Sequence, residues 1–485
     1  MVGAGGRGHR ARQAPAGGAE PLGLNPVAGP AAMPVPSPDV SSSDVAAPPS
    51  PDDAADEPGR AVVRVGVLGC GNVGAALVQL LRRQAKVVEA RTGLRLEVAS
   101  IAVRNLARER DVELVPELLT RDSHALVEDP DIDVVVEVIG GIEPARELIL
   151  TALRHGKPVV TANKELLANC GAELFGAADA AGRDLLFEAA VAGGIPLVRA
   201  LRESLRGEPV RRVLGIVNGT TNFILTRMGE DGTSFGEALG EAQRLGFAER
   251  DPTADVEGLD AGAKAAIIAS IAFGARVVAG DVYHEGISKI TEADIVSAQR
   301  LGYVVKLLAI CEQDETGAVA VRVHPAMLSR QHPLAAVRDS YNAVFVEGDA
   351  VGSLMFYGRG AGGMPTASAV LGDLIDAAVN LRKGTYASLG MFGRVPIRAI
   401  DETTAEYHVV LDVADRPGVL HAVTGVFARH DVSIRAAEQE GLGVDARLVF
   451  ITHEAREAAV QATLRELRDL DVVERVGGFL RVIGA

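Results

Sequence analysis

The chain of 485 residues is long enough for two or three domains, and its 48% hydrophobic and 23% charged residues are those of a soluble globular protein. A net charge of −15 argues against nucleic acid or an anionic membrane as partner. Cys70, Cys170 and Cys311 are widely spaced and form no metal or redox pattern, and no apolar run nears the roughly 18 residues of a spanning helix, so a cytoplasmic protein is expected.

Residues 1–60 are Pro, Ala, Gly, Ser and Asp with almost no large apolar side chain, and read as a disordered tail. From Arg64 the texture changes. "RVGVLG", "LEVASIAVRN", "IDVVVEVIGG" and "KPVVTANK" read as strands, and "AALVQLLRRQAKVVEARTG" and "PARELILTALRHG" as the helices between them. This alternation predicts a Rossmann-type parallel sheet over residues 61–190. Mixed α+β follows over 191–395, with strand-like runs "VRRVLGIVNG" and "AVFVEGD", and residues 403–485 read as a compact βαββαβ module.

"GCGNVG", Gly69–Gly74, follows the first strand and opens a helix, which is the context a dinucleotide fingerprint needs. Gly69 permits the tight turn, Gly71 lets backbone approach a pyrophosphate, and Gly74 allows close helix–strand packing. Asn72 and Val73 begin the helix whose free N–H groups face the phosphates. The second strand ends in "AVRN", with Arg104 where an NAD site usually has an acid. A guanidinium pairs with a 2′-phosphate, so NADP is favoured and NAD is the alternative. Lys164 closes the strand "VVTANK" and is directed at the same crevice, toward cofactor or substrate.

"VEGLDAGAKAAIIASIA", residues 256–272, reads as a helix whose apolar stripe (Ile267, Ile268, Ile271) continues into Lys264 and Asp260. An ordinary surface ion pair between residues four apart is the bland explanation. A lysine half-desolvated beside a carboxylate is the chemical one, because its lowered pKa suits proton transfer near neutrality.

"GCGNVG", "HGKPVVTANKELLA", "FEAAVAGGIPLV", "GIVNGTTNFIL", "GFAERDPTADVEGLDAGAKA" and "GRGAGGMPTASAVLGDLIDA" occur in that order, and together resemble homoserine dehydrogenase across residues 62–395. "YHVVLDVADRPGVLHAVTGVFARHDVSI" resembles an ACT domain, a small amino-acid-sensing module. The resemblance implies interconversion of L-aspartate 4-semialdehyde and L-homoserine with a nicotinamide cofactor, on the route to threonine, methionine and isoleucine. It implies Lys264 as acid/base, Asp260 as its hydrogen-bonding companion and Glu249 as the carboxylate for the substrate amine, with Asp255 in the same segment. Lys164 matches a second active-site lysine and Gly362 a glycine at the cofactor. Glu188, Val191, Gly193 and Ile195 match a structural sodium site, the first through its carboxylate and the others through backbone carbonyls. It also implies sheets that pair across a two-fold axis, hence a homodimer or homotetramer.

In the last module the turn Asp415–Gly418 leads into a helix with Leu420, Val423, Val426 and Phe427 on one face. Its free N–H groups suit an effector carboxylate, and L-threonine is the leading candidate. Two other functions compete. A phosphorylating semialdehyde dehydrogenase needs an activated cysteine, and neither Cys70 nor Cys170 has a histidine beside it in sequence. A cofactor-binding regulator without catalysis would have no use for Asp260, Lys264 and Glu249.

Overall fold

The computed structural model describes residues 61–388, 390, 392–441 and 446–484. The expected disordered tail, residues 1–60, lies outside the described residues.

The first sheet contains β1 (Ala61–Leu68), β2 (Leu94–Ala102), β3 (Leu119–Thr120), β4 (Val134–Glu137), β5 (Val159–Thr161) and β6 (Leu185–Leu186). They run parallel in the order β3-β2-β1-β4-β5-β6. Sequence reversal between β1 and β4 opens a crevice at their carboxyl ends, where ligands of such sheets bind. Val63, Val65, Val67, Val134 and Val136 are buried because helices cover both faces. One of those helices comes from far along the chain. Gly363–Lys383 packs Ala367, Val370, Leu374 and Ala378 into the same cluster as β1 and β4. Residues expected in the middle domain thus complete the nucleotide-binding one.

The second sheet holds β7 (Val210–Ile216), β8 (Tyr283–His284), β9 (Tyr303–Gln313), β10 (Val319–Ser329), β11 (Tyr341–Gly348), β12 (Gly352–Arg359), β13 (Thr404–Val413), β14 (Ile434–Glu440), β15 (Arg447–Thr452), β16 (Ala455–Arg456) and β17 (Val473–Ile483). Its main order is β12-β11-β7-β9-β10-β17-β13-β15-β14, with β8 on β10 and β16 on β13. The C-terminal module has the expected βαββαβ order, with helices Val419–Arg429 and Glu457–Arg468. It is not a detached bead: β17 pairs in parallel with β10, Ala326 opposite Arg481 and Leu328 opposite Ile483, so one sheet runs through both domains. Leu420 departs from its expected face. Val423, Val426 and Phe427 are buried, whereas Leu420 is 50% exposed. None of the helices among the described residues is long and apolar enough to cross a membrane.

Candidate active site

The charged helix begins later than its sequence pattern suggests. Thr253–Val256 is a short turn of helix, Gly258 takes φ +80°, and the long helix runs Leu259–Phe273. That left-handed glycine turns the chain sharply, placing Asp255 and Asp260 on either side of one bend. Along the helix, Lys264 follows Asp260 by one turn and points inward with Ile267 and Ile268.

Lys264 is 8% exposed. Its ammonium donates to Asp260 Oδ2 at 2.7 Å and to the Val217 carbonyl at 2.8 Å. The other oxygen of Asp260 is paired with the ammonium of Lys164. Lys164 does not close a strand: β5 stops at Thr161, and Lys164 is the first residue of the helix Lys164–Ala181, capped by Asn163. The two lysines, expected on separate grounds, thus meet on one carboxylate.

Asn218 was not singled out from the sequence, yet it ties the acids together. Its amide nitrogen donates to Asp255 Oδ1 at 2.7 Å and Asp260 Oδ2 at 2.9 Å. Its amide oxygen accepts from Thr221 N–H at 2.9 Å, capping the helix Gly219–Glu230. The signal was an Asn between a strand and a helix start in "GIVNGTT", which reads as an ordinary N-cap. Only the fold shows that its second hydrogen-bonding arm faces two carboxylates.

Burial pushes the Lys264 pKa down, and the attraction of Asp260 only partly offsets this. Burial acts the same way on Lys164, but there the Asp260 charge wins and the net direction is upward. Asp260 is raised by burial and lowered more strongly by the two lysines, so it stays ionised. Asp255 moves up, because burial exceeds the help from Asn218. One lysine of the pair is therefore suited to lose its proton and the other to keep it. Glu249 is exposed, and its side chain makes no hydrogen bond or ion pair among the described residues.

The glycine loop lies across the same crevice. Gly69 takes φ +101°, and a Cβ there would come 2.9 Å from the Val138 carbonyl, so the turn needs glycine. Gly71 faces open space, the cradle that a side chain would fill. Asn72 and Val73 open the helix Asn72–Thr92, and Gly74 packs against the Gly69 carbonyl. Gly362 precedes the helix Gly363–Lys383, and a Cβ on Gly363 would lie 3.1 Å from the Asn72 carbonyl, so two helix N-termini converge on the loop. These residues fit a dinucleotide pyrophosphate. Arg104 is exposed just beyond β2, with no side-chain partner among the described residues.

At the expected cation site the Glu188 carboxylate already makes hydrogen bonds within the chain. Both carboxylate oxygens of Glu188 are taken by backbone N–H groups at a helix start, Val198 and Arg199, each at 2.8 Å. Each oxygen accepts one N–H and keeps a second lone pair, so the carboxylate is partly engaged and still able to ligate. The loop carrying Val191, Gly193 and Ile195 packs backbone to backbone on residues 359–361, which explains its glycines without a metal. Cys170 sits half-buried in a helix with its thiol pKa raised by burial, as does the pKa of Cys70, and neither is an activated nucleophile.

Three family models match: the NAD-binding domain of homoserine dehydrogenase over residues 69–188, homoserine dehydrogenase over 196–375 and the ACT domain over 407–472. The homoserine dehydrogenase of Corynebacterium glutamicum is 50% identical over 430 residues, covering 88% of this chain and 96% of that protein. The chain belongs to the homoserine dehydrogenase family. The dehydrogenase is similar in structure to the enzyme of Thiobacillus denitrificans, with TM-score 0.82 and 42% identity over 87% of this chain and 98% of the other. A hyperthermophilic archaeal homoserine dehydrogenase in complex with NADPH matches with TM-score 0.56 and 30% identity, over 66% of this chain and 98% of the other. The activity is that of homoserine dehydrogenase, an NAD(P)-dependent oxidoreductase, which sets aside both the silent regulator and the cysteine-dependent rival.

Proposed function

We propose that Lys264 is the proton donor and acceptor in the interconversion of L-aspartate 4-semialdehyde and L-homoserine. The observation that carries this reading is its ammonium, buried between Asp260 and the Val217 carbonyl with its pKa pushed down. A bound nicotinamide supplies or accepts the hydride. The chain's own residues handle the proton and the charge. In the reducing direction Lys264 gives its proton to the oxygen that becomes the alcohol, and in the oxidising direction it takes that proton back. Asp260 orients it, and Lys164, held protonated by Asp260, adds a positive field at the developing oxyanion. Asp255, with its carboxylate half-used by Asn218, receives the substrate ammonium, with Glu249 closing over it once substrate is present.

Arg104 favours NADP by pairing with the 2′-phosphate, a reading supported by its exposed position at the end of β2. The archaeal neighbour's NADPH complex agrees with it. No step is routed through sodium. The proposed regulator is L-threonine, bound at a cavity of about 400 Å³ lined by Asp415, Arg416, Gly418, Leu420 and Gln439. Feedback by threonine suits a cytoplasmic enzyme on the route to threonine, methionine and isoleucine. Assembly is proposed as a homodimer or homotetramer through the second sheet, whose edge strand β12 exposes Met355 and Tyr357.

The test is the pH profile of homoserine oxidation. Lys264→Met is expected to abolish the ionisation limb along with the rate. If the limb persists there and vanishes instead in Lys164→Met, the two lysines exchange roles.

A further inference from the structure

The bend between Asp255 and Asp260 is braced from outside. Ile287 N–H donates to the Val256 carbonyl at 2.8 Å, and a Cβ on Gly286 would lie 2.6 Å from Glu257 Cα, so the backbones of 285–287 and 256–258 are in direct contact. The bracing segment is tied to the sheet by Glu285 N–H, which donates to the Val323 carbonyl at 2.7 Å. Its carboxylate reaches into the C-terminal module. Arg481, on β17, donates from Nη2 to Glu285 Oε1 at 2.8 Å. The same guanidinium donates to both oxygens of Glu457, at 2.7 Å and 2.8 Å, and Tyr407 Oη donates to that carboxylate at 3.0 Å. Arg481 is 2% exposed and lies over the rings of Tyr283 and Phe479.

We propose that Arg481 is a positioning residue for the reaction. Through Glu285 it holds the segment 283–287 against the Val256–Gly258 bend, and so fixes the spacing of Asp255 and Asp260. The inference rests on the roles given to those two acids above. A guanidinium is the group that can do this. Its planar fork binds Glu457 through two nitrogens and still has an N–H for Glu285, and its charge is constant across the range where Lys264 titrates. An ammonium lacks that fork. The C-terminal module therefore has a side-chain route to the substrate acids beside the β10–β17 backbone pairing, whatever its effector.

The test uses the full chain with Glu285→Ala, which leaves Arg481 its two bonds to Glu457 and so spares the fold. A displacement of about an ångström costs up to about a hundredfold. Glu285→Ala is therefore expected to lower kcat/KM for homoserine by at least about tenfold. The KM for the nicotinamide cofactor is expected to stay within about twofold, and Glu285→Gln, which still accepts the hydrogen bond, to recover most of the loss. Arg481→Lys should reproduce the homoserine defect. Wild-type homoserine kinetics in Glu285→Ala, or an equal loss for homoserine and cofactor, would overturn the proposal. Lys264→Met runs in parallel: near-normal turnover there defeats the roles given to the site, whereas a dead Lys264→Met beside a normal Glu285→Ala defeats only the brace.

Discussion

Two buried ionic clusters flank the bend at Gly258, and they are built from different cations. On one side Asp260 is shared by Lys264, Lys164 and Asn218. On the other, Arg481 is shared by Glu457 and Glu285. In the first cluster cations outnumber the carboxylate they share, so burial drives one lysine toward its neutral form. In the second, carboxylates outnumber the cation, and Arg481 is held further from deprotonation than a free arginine. The lesson is a division of labour by residue type. In the proposed mechanism lysine stands where a proton has to move, and arginine where a charge has to stay.

That contrast is broken most directly by removing one member from each cluster. Lys264→Ala is expected to lower kcat by at least about a hundredfold, the usual scale for a lost general acid/base. Its folding should be nearly unchanged, because Asp260 keeps Lys164 and Asn218. Near-normal turnover would remove the assignment. Glu457→Ala should do the reverse. Breaking a buried pair costs about 3–5 kcal/mol, so denaturant melts should show a large loss of stability in the C-terminal module, while the pH profile of the remaining activity keeps its midpoint. A shifted midpoint would mean that the two clusters are not separable.

The cofactor end gives a smaller effect. Hydrogen bonds to charged groups contribute roughly 1.5–3 kcal/mol, so Arg104→Ala should weaken NADP about tenfold or more relative to NAD. Equal losses for both cofactors in steady-state kinetics would contradict the 2′-phosphate role.

Asp260→Asn sharpens the comparison through sign rather than size. In the proposed mechanism homoserine oxidation needs neutral Lys264, so its rate is expected to rise as pH passes upward through the lysine's lowered pKa. Asp260 is what pulls that pKa back up, so its neutralisation should carry the limb to lower pH while reducing the rate. A limb that stays in place would show that Asp260 does not act on Lys264. The smallest perturbation is Leu420→Arg, at an exposed position lining the module's cavity. It should abolish inhibition by millimolar threonine while leaving turnover intact, and calorimetry should show binding to the wild type only. Wild-type indifference to threonine would exclude that effector.

Deletion of residues 403–485 is the coarsest form of the same comparison, and should also abolish any inhibition by threonine. The deletion removes β17 from the edge of β10 and Arg481 from Glu285. A core lacking these is expected to keep cofactor binding and lose homoserine kcat/KM, by the same measure as Glu285→Ala.

Sequence by itself determined what depends on local spacing. Strands β1, β2, β4 and β5 with the two helices read between them, the glycine turn at Gly69–Gly74, the βαββαβ module and the inward face of Asp260 and Lys264 all follow from periodicities of two or 3.6 and from turn chemistry, whereas the short β3 and β6 carry no such pattern. The tertiary structure alone decided what depends on contacts between distant segments. Lys164 lies 96 residues before Asp260 in the sequence and shares its carboxylate. Asn218 caps a helix through its amide oxygen, and only the fold brings its amide nitrogen to two acids. The Glu188 carboxylate accepts the backbone N–H groups of Val198 and Arg199, a pairing that its loop sequence does not announce. The helix Gly363–Lys383 returns to the first domain, and β17 carries Arg481 to Glu285, whose segment packs on the Gly258 bend. A side chain's type limits which bonds it makes, but its partner is chosen by whichever distant group shares its burial, and that is a property of the packed chain.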